Sequence, residues 1–160
     1  MASQVRIKFE LNCSPDAVRD AMRSPALIEA SEKSRGALDV KVEDLFLDEN
    51  RHEYVISVTN YARGIKGENR SKQERSKTTV KWDLKSNTRR WTWSGEHPIE
   101  LTGEDIVTGS SVGATLNMSA QINVKIPVVG RVVAKKLKHG FEENWPKYSK
   151  LVEEFASKAT

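Results

Sequence analysis

The chain has 160 residues and a mass of 18.0 kDa, enough for one ordinary domain and short for two. Its 38% hydrophobic and 30% charged residues suit a folded globular protein and exclude a disordered or fibrous one. The net charge of +4 is concentrated, because six bases face only two acids between Arg63 and Lys77 and account for the whole excess. No apolar run approaches the ~20 residues that span a bilayer. The opening MASQVRIKFE carries Arg6, Lys8 and Glu10 and lacks the apolar core of a signal peptide. A single cysteine, Cys13, excludes an internal disulfide and a multi-cysteine metal knuckle. The expected compartment is therefore cytoplasmic.

Val5, Ile7, Phe9 and Leu11 alternate with polar residues, the period of a strand with one wet face. Ser14-Pro15-Asp16 then predicts a helix start: the serine caps free amides, proline suits the first helical position, and the acid suits the positive end of the dipole. Ser24-Pro25 repeats the signal, so two short helices follow the strand. From Ala37 to Val124 the pattern is strands and turns. Leu38, Val40 and Val42 alternate, as do Tyr54, Ile56 and Val58, then Val80, Trp82 and Leu84, and Trp91 with Trp93. The clearest strand is the last, where Ala114, Leu116, Met118, Ala120, Ile122 and Val124 face one way without an error. After Pro127 a long helix begins near Val129 or Gly130. Val133, Leu137, Phe141, Trp145, Tyr148, Val152 and Phe155 recur at spacings of four or three, forming one amphipathic stripe. Pro146 is expected to kink it.

One helix cannot cover a flat sheet of this size, so the economical solution is an α+β fold with the sheet bent around the helix. The order of one strand, two short helices, about six more antiparallel strands and a long helix resembles the helix-grip fold of the START-like (SRPBCC) superfamily. That superfamily includes lipid-transfer domains, the birch pollen allergen and polyketide cyclases. The resemblance covers nearly the whole chain, 1–160 as one domain, and is most specific over INVKIPVVGRVVAKKLKHGFEENW (Ile122 to Trp145). The Pro127-Val128-Val129-Gly130 junction is similar to that of a bacterial branch with no assigned function, and Leu38 to Val42 also fits that branch.

The resemblance implies a cavity between sheet and long helix that takes an apolar small molecule or lipid. Candidate lining residues are Tyr54, Ile56, Val58, Trp82, Trp91, Trp93 and Met118, with Phe141 and Trp145 from the helix. The same aromatics would also serve as plain core, and the pattern leaves both readings open.

Chemistry is sparse. His52, His97 and His139 lie near acids, yet each reads as a surface side chain, and none has metal spacing. Gly109 to Gly113 lacks the P-loop lysine and precedes a strand, so it is a hairpin turn. No catalytic residue, cofactor or metal is expected, and the chain reads as a binder rather than an enzyme. The alternatives are a cyclase- or dehydratase-like enzyme, in which Tyr54 and the inward aromatics orient a substrate, and an interaction module. The latter would use the basic 63–77 loop, placing Lys66, Arg70, Lys72 and Arg75 on an anionic surface such as a membrane. Only Tyr61 lies near this stretch, and the lack of interleaved aromatics argues against nucleic acid.

Overall fold

Strand β1 (Ala2–Leu11) ends where the capping residues start α1 (Pro15–Arg23) and α2 (Pro25–Ser34). The structure, a computed structural model, describes residues 2–64, 67–110 and 112–158. Ser14 Oγ accepts from the Ala17 amide at 3.2 Å, and Ser24 Oγ accepts from the Leu27 amide at 3.4 Å. Each cap satisfies a donor that the first turn of a helix leaves alone. Ser24 also closes α1 by donating its amide to the Ala21 carbonyl, so one residue makes the break between the helices.

Six strands follow: β2 (Asp39–Leu47), β3 (Arg51–Gly64), β4 (Gly67–Asp83), β5 (Thr88–Ser94), β6 (Ile99–Gly109) and β7 (Ala114–Val124). All pairings are antiparallel in the order β1-β7-β6-β5-β4-β3-β2, so the first strand pairs with the last. Helix α3 (Gly130–Lys158) then crosses the sheet, packing its backbone closely on β1 and β7 and against α1 and α2. Seven strands gripping one long helix, with two short helices after β1, make this a helix-grip fold. Among the described residues, no helix is long and apolar enough to cross a membrane.

The predicted stripe of α3 is buried or half-buried along its length, joined by Ala134, Ser149 and Ala156. Pro146 sits inside the helix without ending it, and Ser149 Oγ donates to the Pro146 carbonyl at 2.8 Å. Trp145 and Ser149 are buried on either side of the proline.

The stretch from Arg63 to Lys77, expected as a basic loop, belongs in its described residues to a β-hairpin arm. β3 and β4 pair out to Gly64 and Gly67, beyond Lys77, where β5 begins to pair with β4. Both faces of the β4 half are wet, so no apolar alternation marks it in the sequence, and pairing with β3 alone makes it a strand. Lys66 lies outside the described residues.

Candidate functional site

The register of the sheet arranges inward-facing residues in rows that run across the strands. One row reads His52, Trp82, Arg89, Asp105 and Met118 from β3 to β7. The next reads Tyr54, Val80, Trp91, Gly103 and Ala120, and the third Ile56, Thr78, Trp93, Leu101 and Ile122. Gly103 is required by its neighbour, because a Cβ there would lie 2.1 Å from the Trp91 ring that covers it. From above, α3 brings Phe141 to 6.3 Å from the Trp91 ring and 5.0 Å from that of Trp145.

A polar cluster interrupts this apolar interior. Asp105 is 0% exposed and the Arg89 side chain 14%, with Arg89 Nη1 3.3 Å from Asp105 Oδ2. The same nitrogen donates to the Tyr148 hydroxyl of α3 at 3.4 Å. Nearby, Trp82 Nε1 donates to the Tyr54 hydroxyl at 3.2 Å. The ion pair is not aligned as a hydrogen bond: both Asp105 oxygens and Arg89 Nε have no hydrogen-bond partner among the described residues. Buried groups in native proteins are nearly always satisfied, so three such atoms in one place call for a physical reason.

Electrostatics follow the burial. Desolvation pushes the Asp105 carboxyl up to about 6, against the pull of Arg89 and with a further push from Glu104. Burial raises the Tyr148 phenol to about 12, against Arg89. Tyr54 is likewise raised by burial, with Arg89 again opposing. Burial alone would lower Arg89, but Tyr148, Asp105 and Tyr54 outweigh it and drive its pKa up. The cluster is thus a fixed guanidinium, a carboxyl whose pKa is raised towards neutrality and two phenols that keep their protons.

Residues 6–155 match the family described as Protein of unknown function (DUF2505). The chain belongs to that family. No curated protein matches it in sequence. Among similar solved structures, the Zhui aromatase/cyclase from a Streptomyces species shares 11% identity at a TM-score of 0.71, covering 99% of this chain and 95% of its own. A START superfamily protein from Mycobacterium smegmatis shares 16% at 0.61, covering 98% and 99%. Norcoclaurine synthase from Thalictrum flavum shares 12% at 0.63, covering 96% and 86%. At such identities the likeness concerns the fold, which is that of the START-like superfamily the sequence resembles.

In this DUF2505 chain, Tyr54, Ile56, Trp82, Trp91, Trp93 and Met118 fall on three adjacent inward rows, and Val58 lies one step further along β3. Trp91, Phe141 and Trp145 meet directly, whereas Trp82 lies among the polar groups. Arg89, Asp105 and the hydroxyl of Tyr148 are absent from the sequence reading. Arg89 shares its parity with Trp91 and Trp93, and Asp105 with Leu101 and Val107; a charge in phase with inward apolar residues is the signal that was available.

His52 corrects the expectation of three surface histidines, as only 8% of its side chain is exposed. Its Nδ1 accepts from Arg23 Nε at 3.0 Å, so Nε2 carries the proton and donates to Asp44 Oδ1 at 2.8 Å. The partners come from α1 and β2, out of reach of any local sequence pattern. His97 pairs with Glu74 and His139 with Glu143, both exposed. The Cys13 sulfur is buried against Ser157 Oγ at 3.5 Å. Among the described residues, no group of three or more His, Cys, Asp and Glu side chains is placed to hold a metal ion. On the hairpin arm, Arg70 is 81% exposed beside Glu68, and Lys72 and Arg75 are also exposed.

Proposed function

We propose that the chain acts as a single helix-grip domain over 1–160 that binds or carries an apolar small molecule or lipid in the cytoplasm. The site lies between the inner rows of the sheet and α3. Tyr54, Ile56, Val58, Trp82, Met118 and Trp145 form its wall, with Trp91, Trp93 and Phe141 towards its mouth. The observation that carries this reading is uneven burial. Trp91, Trp93 and Phe141 stay only half-buried, with the Trp91 and Phe141 rings facing each other, whereas Trp82 and Leu116 are sealed. A filled core would bury all of these large apolar groups, since each is worth ~1.5–3 kcal/mol when removed from water. Organic-solvent extraction of the purified protein followed by mass spectrometry tests it. The expected result is one apolar compound near one per chain; an empty extract, with no quenching of tryptophan fluorescence by added apolar compounds, contradicts it.

An enzymatic reading of the cyclase kind is supported by Asp105, a titratable acid near neutrality set among two tyrosines and an arginine. Two of the similar folds are named as an aromatase/cyclase and a synthase. Asp105→Asn should then abolish conversion of the compound that extraction recovers, and unchanged conversion removes the reading. The basic arm supports contact with an anionic membrane surface through Arg70, Lys72 and Arg75, with Lys66 assigned to the same surface from sequence. It projects from the end of the sheet where α3 begins and where Val128 and Val132 are exposed.

A further inference from the structure

The sheet is open, and its two edges differ. Among the described residues, β1 at one edge carries no exposed large apolar side chain. At the other edge, Leu38 adjoins β2, and Leu45, Phe46 and Leu47 lie on it, with Leu45 58% and Leu47 55% exposed. Elsewhere in the described chain only Val112, Val128 and Val132 compare. Consecutive exposed apolar residues on an edge strand invite association, and a sequence keeps them where something covers them. Arg51 stacks on the Phe46 ring at 4.3 Å and still leaves that residue 39% exposed. The strand also lacks the usual defences of an edge. It has no proline, and its bulge falls between Asp44 and Phe46, so residues 39–44 run in regular register with β3.

We propose that β2 pairs antiparallel with β2 of a second copy of this chain, across a two-fold axis at Val42, joining two sheets into one. The side chains select this register. Val40 and Val42 lie opposite Val58 and Ile56 and pack against the core, so Lys41 and Glu43 point to the outer face, where both are exposed. Their neighbours across β3, Ser57 and Val55, carry no charge. Residues opposite one another in a sheet share a face, so the axis must fall on a residue and not between two. An axis at Val42 sets Lys41 against Glu43 of the second copy and Glu43 against its Lys41. Moving the axis one residue either way, to Lys41 or to Glu43, sets like charges together. The same axis carries Leu38 of each copy to the 45–47 end of the other, so the exposed apolar groups at both ends are covered together. Charge at the centre fixes the register, and the apolar ends supply the burial. The contact uses one patch on both copies and therefore closes as a dimer. It lies outside the interior site and does not depend on what that site binds.

Sedimentation equilibrium of the full chain, from micromolar to millimolar concentration, tests this with two charge reversals, Lys41→Glu and Glu43→Lys. Both side chains are exposed on the outer face, so neither change disturbs the interior packing. The natural chain should form dimers. The Lys41→Glu chain holds acids at both central positions and the Glu43→Lys chain holds bases at both, so each alone should dimerise at least about tenfold more weakly. An equimolar mixture of the two sets acids against bases again and should recover most of the natural affinity, as should the double variant carrying both reversals. A natural chain that stays monomeric at millimolar concentration overturns the proposal and is the result expected if a strand of another protein covers this edge. Single reversals that do not weaken the dimer, or a mixture and a double variant that do not regain it, overturn it as well.

Discussion

Asp105 is fully buried, close to a cation without a hydrogen bond to it, and its native carboxyl titrates at about 6 rather than at the ordinary 3.8. The sign of the linkage is fixed by that direction. The native state holds the proton more tightly than the unfolded chain, so Asp105 contributes stability below about 3.8 that is lost as pH rises through about 6. Asp48, Asp83 and Glu100 are shifted the other way, by backbone hydrogen bonds in the first two and by Lys125 in the third. Their contributions are lost as the pH falls below the ordinary carboxylate range. Comparison with Asp105→Asn isolates the one group. In urea unfolding, the natural chain should lose stability relative to the variant between pH 4 and pH 6, whatever the variant's absolute stability; parallel curves across that window would contradict the burial argument. At this scale the sequence exposed the aromatics and hid the charges. Tyr54, Trp82, Trp91 and Trp93 stand out because large rings at alternate positions have few surface uses. Arg89 and Asp105 look like ordinary solvated residues until pairing of β5 with β6 sets them opposite each other.

Elements were legible where one face of each is buried. β7 shows its whole inner face in sequence because buried residues alternate along it, and the two serine caps mark α1 and α2 because each serves an otherwise unpaired amide. The β4 half of the hairpin arm was not legible as strand, since a segment wetted on both faces has no hydrophobic period to read. Its exposure makes it the natural place for charge to act. A variant combining Arg70→Ser, Lys72→Ser and Arg75→Ser should bind vesicles containing phosphatidylserine roughly a hundredfold more weakly than the natural chain, at about 1 kcal/mol per base near such a surface. Flotation assays at low and high salt check this. Natural and substituted chains that float equally at both salt concentrations would remove the membrane contact.

For the molecule as a whole, the order of elements was enough to predict a sheet bent around a terminal helix, because one amphipathic stripe has to serve seven strands. The occupant of the interior is a different question, set by which inward side chains meet, and that depends on register between strands distant in sequence. The chain has four tryptophans, Trp82, Trp91, Trp93 and Trp145, and every one lies on the inner rows or on the side of α3 that meets them. Their indole N–H signals therefore report on the inner face of the sheet and the helix side that meets it. Titrating an apolar probe, 2-naphthol, into nitrogen-15-labelled protein should shift the Trp91 and Trp145 indole signals saturably, at one ligand per chain, with little change on the hairpin arm. Four unmoved indole signals alongside shifting backbone amides on the outer surface would show that the interior is not the binding site.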